Sequence, residues 1–112
     1  MRLRSDIFVA AYLRLRNSEN AFAVVRRKGA AEAGAIFICI DRLNGTVDLY
    51  GPAPQTAFDD ERLDRRFQKL SKDNALLADS ETRLAREIQF DADCWIVDVE
   101  DRTGQARLDL VA

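Results

Sequence analysis

Residues Gly34–Pro54, GAIFICIDRLNGTVDLYGPAP, decide how this chain folds. Asn44-Gly45 supplies two neighbouring residues that tolerate positive φ, as a two-residue type I′ turn requires, and both flanks are rich in β-branched and aromatic side chains. The stretch predicts a β-hairpin in which Leu43 faces Thr46, Arg42 faces Val47, Asp41 faces Asp48, Ile40 faces Leu49 and Cys39 faces Tyr50. Alternation then puts Ile36, Ile38, Ile40, Val47 and Leu49 on one face, and Phe37, Cys39, Asp41, Asp48 and Tyr50 on the other. Both faces are largely apolar. That is the pattern of a ribbon central in a sheet, covered by helices on one side and by further protein, a second subunit included, on the other.

On the N-terminal side of the hairpin, residues 5–17 have helical spacing. Ser5 is placed as N-cap, Asp6 sits against the positive end of the dipole, and Ile7, Phe8, Ala11, Tyr12 and Leu15 recur as a stripe. Asn17-Ser18-Glu19-Asn20 has turn chemistry, and AFAVVRR at 21–27 reads as a strand that continues into the hairpin as a three-stranded antiparallel meander.

On the C-terminal side, Gly51-Pro52-Ala53-Pro54 ends strand pairing, because each proline lacks an N–H and fixes φ. The charged stretch FDDERLDRRFQKL reads as a surface loop ending in a short edge strand near 66–70. Residues 73–89 favour helix, with Leu77, Leu84 and Ile88 as a stripe and Arg83 one turn before Glu87. CWIVDVE at 94–100 alternates as a half-buried strand, and ARLDLV at 106–111 as a last one. The sum is a single α+β domain over residues 1–112. It has a mainly antiparallel sheet of about five or six strands, with two principal helices packed on one face.

At 112 residues the chain buries enough surface to fold without metal or disulfide. A net charge of −2 weighs against broad binding to nucleic acid or anionic membrane, and no apolar run approaches the roughly 20 residues that span a bilayer. Basic residues precede an apolar stretch at the start, but Asp6, Tyr12 and Arg14 interrupt the pattern of a signal peptide. Cys39 and Cys94 form no C-x-x-C pair and read as small buried hydrophobes of a reducing cytoplasm.

Four segments together carry a family likeness: SDIFVAAYLR, VVRRKGAAEAGAIF, DRLNGTVDLYGPAP and REIQFDADCWIVDVEDR. They resemble a family of short alphaproteobacterial proteins, domain of unknown function 1491, over nearly the whole chain. The resemblance implies an intracellular bacterial location and brings no activity, cofactor or catalytic residue with it.

Chemistry is constrained mainly by the absence of histidine, which removes the commonest general base and metal ligand. No P-loop, G-x-G-x-x-G or G-x-S-x-G pattern is present. Asp41 opposite Asp48 is the sharpest positive: two carboxylates on one site share a proton or ligate Mg²⁺ or Mn²⁺, whereas at a solvated hairpin tip they are merely screened. Arg26 and Arg27, with Lys28, offer a small phosphate-binding patch or a solvated strand end, and strand alternation sends the two arginines to opposite faces. Asp59-Asp60-Glu61 has carboxylates without the spacing of a calcium loop. Tyr50 beside Pro52 and Pro54 forms a candidate recognition surface, although core packing suits both Tyr50 and Trp95. The leading expectation is a non-enzymatic interaction or regulatory module, a cytoplasmic homodimer without cofactor or metal. The alternatives are a metal-assisted phosphoesterase-like hydrolase using Asp41 and Asp48, and a weak nucleic-acid binder.

Overall fold

A computed structural model describes residues 3–54 and 65–111. The elements in chain order are α1 (Ser5–Ser18), β1 (Phe22–Arg27), β2 (Ile36–Asp41), β3 (Val47–Pro52), β4 (Phe67–Lys69), α2 (Leu77–Phe90) and β5 (Trp95–Glu100). The five strands form one sheet in the order β1-β5-β2-β3-β4. The α+β class and the strand count stand as expected. The sheet is mixed, however: β5 runs antiparallel to β1 but parallel to β2, and β2-β3-β4 are antiparallel neighbours.

The expected three-stranded meander is therefore corrected, because β5 inserts between β1 and β2. Trp95, Ile96 and Val97 are all buried, as are Ile36 through Ile40, and such unbroken apolar runs suit strands covered on both faces. The two helices supply that cover from opposite sides rather than from one. Val9 and Tyr12 of α1 pack with Ile36, Ile38, Ile40, Val97 and Val99, while Leu84 and Ile88 of α2 pack with Phe37, Cys39, Leu49 and Ile96. Burying a side chain such as Leu84 stabilises the fold by about 1.5–3 kcal/mol.

The hairpin forms, but one position out of the expected register. Asp41 pairs with Val47, Ile40 with Asp48, Cys39 with Leu49 and Ile38 with Tyr50. The Arg42 N–H donates to the Thr46 carbonyl at 3.0 Å, so the loop has three residues, Leu43–Gly45. Positive φ falls at Leu43 (62°) and Gly45 (91°) rather than at Asn44. Asn44 instead uses its side chain, accepting from the Thr46 N–H at 3.0 Å and the Thr46 hydroxyl at 2.6 Å. The shift turns every β3 side chain over: Asp48 and Tyr50 join the α1 side of the sheet, and Val47 and Leu49 the α2 side.

Three smaller corrections concern element ends. Ser5 is buried inside the first turn of α1, with its hydroxyl donating to the Gly34 carbonyl at 2.6 Å, and Arg4 is the N-cap. The expected last strand reduces to one parallel bridge, Leu110 with Phe67. Arg27 follows a bulge between Val25 and Arg27, which re-aims the strand end.

Candidate functional site

The carboxylate pair does not exist as a site. Asp48 is buried on the α1 side of the sheet, 3.6 Å from Arg42 Nε and 3.5 Å from Lys69 Nζ. Asp41 lies on the α2 side, where its Oδ1 accepts the Leu43 N–H at 2.8 Å. With the sheet between them they share neither a proton nor a cation, so the register removes the Asp41 and Asp48 pair on which the hydrolase reading rests. Among the described residues, no group of three or more Cys, Asp or Glu side chains is placed to hold a metal ion. Asp59, Asp60 and Glu61 lie outside the described residues.

The arginines are already engaged. Arg26 donates to both oxygens of Asp98 at 2.7 and 2.9 Å and to both oxygens of Glu81 at 2.9 Å, tying β1 to β5 and α2. Hydrogen bonding to Asp98, reinforced by Glu81, raises its pKa further above the ordinary arginine value. Arg27 Nη2 donates to the Ala92 carbonyl at 2.7 Å. The bulge brings both side chains to the α2 side, correcting the expected alternation. Tyr50 is buried in the α1-side core rather than displayed, and burial, with Asp48 nearby, pushes its phenol pKa up. Pro52 and Pro54 are exposed. Trp95 is core, with its indole N–H donating to the Ala30 carbonyl at 2.8 Å.

Two buried polar contacts of α1 carry no signal in the linear pattern. Arg16, only 1% exposed, pairs with Asp101 and donates to the Gln105 carbonyl at 2.7 Å. Burial alone would raise the Asp101 pKa, but the Thr103 N–H and hydroxyl together with Arg16 hold it below the usual aspartate value. Asn17 closes onto β1 at Ala23. At the opposite edge of the sheet, the Phe67 N–H donates to the Asp109 carbonyl and the Val111 N–H to the Phe67 carbonyl, so the C-terminal segment lies along β4.

Exposed apolar side chains occur at several places, Phe22 and Val24 on β1 and Leu76, Leu77 and Phe90 around α2 among them, and on the outer side of α1 they form a regular row. The expected stripe divides in two. Phe8 and Tyr12 turn inward, stacked at 6.2 Å, while Ile7 (50% exposed), Ala11 and Leu15 (45% exposed) face outward. Leu3, 52% exposed, extends this outer row by one further step of four.

These features define the class: a small α+β domain whose five-stranded mixed sheet is clasped between one helix on each face, with no helix among the described residues long and apolar enough to cross a membrane. The family model described as protein of unknown function (DUF1491) matches residues 3–109, and the chain belongs to that family. It is similar to the crystal structure of a DUF1491 family protein from Caulobacter crescentus CB15, at 31% identity and a TM-score of 0.80 over 100% of both chains. The NMR structure of a DUF1491 family protein from the same organism gives a TM-score of 0.79 at 31% identity, covering 100% of this chain and 99% of that one. The solution structure of protein Atu0922 from A. tumefaciens is 42% identical with a TM-score of 0.78, covering 89% of this chain and 86% of that one. No curated protein is detectably similar. Caulobacter and Agrobacterium are both alphaproteobacteria, in line with the resemblance carried by the sequence motifs.

Proposed function

We propose that this chain is a non-enzymatic interaction module that pairs with a second copy of itself through the outer row of α1. The observation carrying this reading is that Ile7, Ala11 and Leu15 lie in one row at intervals of four residues, with the two large side chains about half exposed. The row is self-complementary: about a two-fold axis at Ala11, Ile7 of one copy meets Leu15 of the other at both ends. The small side chain at the crossing allows close approach, and two i±4 ridges interlock at a crossing angle of about −50°. A single helix contact gives a small interface, so association belongs in the weak, reversible class. Two buried free thiols, Cys39 and Cys94, support a reducing, cytoplasmic setting.

Light scattering across the micromolar range tests the proposal. The natural chain should show a mass rising with concentration toward the dimer. Ala11→Arg, which changes an exposed position, should stay monomeric with an unchanged thermal melt. A natural chain that is monomeric throughout, or an Ala11→Arg variant that still dimerises, would overturn the proposal.

A further inference from the structure

The α2 face carries a cleft of about 540 Å³ between the helix and residues 70–75. Its outer wall is fixed by hydrogen bonds to β3: the Leu70 N–H donates to the Leu49 carbonyl at 2.7 Å, the Val47 N–H to the Ala75 carbonyl at 2.9 Å, and the Leu49 N–H to the Ser71 side-chain hydroxyl at 3.0 Å. Ser80 lines the cleft from the helix side. The residue is only 2% exposed, and its hydroxyl has no hydrogen-bond partner among the described residues. A buried hydroxyl left unpaired costs about 1–3 kcal/mol, a cost that a polar group entering against this cleft wall would offset.

The charges around it indicate which partner. Lys72 and Arg86 line the cleft with no ion pair to any described residue, and Arg83 lines it while paired to Glu87 at 2.7 Å. Of the two acids present, Asp73 is neutralised by Lys69 at 2.8 Å, whereas Asp79 has no cation against it. Two free cations beside a free hydroxyl suit a phosphoryl group, and one free carboxylate on α2, one turn before Arg83, suits hydroxyl donors on the same ligand.

We infer that this cleft binds a small phosphate ester of a hydroxylated molecule, with Lys72, Arg83 and Arg86 holding the phosphate, Ser80 donating to it, and Asp79 accepting from the ligand's hydroxyls. The cleft lies on the opposite face of the sheet from α1, so the inference stands apart from self-association.

An amide-resolved NMR titration of the full chain tests it, with ribose 5-phosphate, ribose and inorganic phosphate as separate probes. Ribose 5-phosphate should give saturable shifts at residues 71–75 and 80–86, at lower concentration than inorganic phosphate, and ribose alone should give none. Arg86→Gln, at an exposed helix position, should weaken binding about tenfold with an unchanged fold, and Ser80→Ala should weaken it as well. Equal responses to ribose 5-phosphate and inorganic phosphate would mean an adventitious ion only. That result, shifts no larger than those of potassium chloride at matched ionic strength, or an Arg86→Gln variant that binds as before would overturn the assignment.

Discussion

The side chain of Asn17 closes both outward backbone groups of Ala23: its amide nitrogen donates to the Ala23 carbonyl at 3.1 Å, and its oxygen accepts the Ala23 N–H at 3.0 Å. A side chain at the end of α1 thus takes the place of a neighbouring strand along β1. Free strand edges template unwanted pairing, and here the contact blocks that edge as the C-terminal segment blocks the edge at β4. The proposed self-association therefore runs through side chains on a helix surface.

Asn17→Ala removes both contacts at once. At about 1 kcal/mol for each hydrogen bond, the melting temperature should fall by about 5–10 °C. Exchange at the Ala23 amide should accelerate more than at amides of β2, and turbidity on heating should rise. An Ala23 amide as protected as before would show that the edge is closed by something else.

Gly51 and Gly45 serve different ends, and alanine distinguishes them. A Cβ at Gly51 would lie 2.7 Å from Leu70 Cδ1 and 2.9 Å from Phe37 Cε1, whereas one at Gly45 meets nothing but sits at a φ of 91°. Gly51→Ala should cost about 1–3 kcal/mol from overpacking. Gly45→Ala should cost about 1–2 kcal/mol from backbone strain alone. Adding Leu70→Val should relieve the first by more than about 0.5 kcal/mol and leave the second additive. Additivity in both double variants would contradict the packing account.

How much of this was legible in the sequence depends on the range of the cause. Asn44-Gly45 marks a hairpin correctly, because turn chemistry is local. Its register was missed because Asn44 bonds Thr46 with its side chain and leaves the left-handed position to Leu43, a residue not suited to it. The unbroken apolar run IFICI does signal a strand covered on both faces, whereas CWIVDVE reads as an alternating, half-buried strand and is instead buried at Trp95, Ile96 and Val97 alike. Their parallel pairing, with β5 between β1 and β2, joins segments some 60 residues apart and leaves no local mark. On α1, periodicity finds a helix with apolar residues on more than one side, and which side faces the sheet, with Phe8 and Tyr12 inward beside the buried Arg16, is set by tertiary contacts. The cleft against α2 was missed altogether: Ser80 reads as a polar helix residue until its burial is seen.

Asp101 couples that buried contact to pH. Its folded pKa lies below the unfolded value of about 3.9, so it contributes stability that is present above that value and lost as pH falls through the folded one. Urea unfolding at pH 6 and pH 3 should show a smaller acid loss for Asp101→Asn than for the natural chain, alongside a lower stability at pH 6. Identical losses in both chains would place the acid sensitivity on other carboxylates.

The two thiols should be inert in the folded chain. Burial pushes the Cys39 thiol up to about 12 and raises that of Cys94 as well. Alkylation by iodoacetamide at pH 8 should be negligible natively and reach both cysteines in urea. Rapid native labelling of Cys39 would mean that α2 opens readily from the sheet.

Pairing through α1 is tested most directly by isotope-filtered NMR on a mixture of labelled and unlabelled chains, reading contacts between methyl groups of different copies. Within one copy, Ile7 and Leu15 are about 12 Å apart along the helix, too far for a direct contact signal. The account predicts signals between Ile7 of one chain and Leu15 of another. Their absence at concentrations where light scattering detects a dimer, or intermolecular signals confined to Phe22 and Val24 or to Phe90, would contradict it.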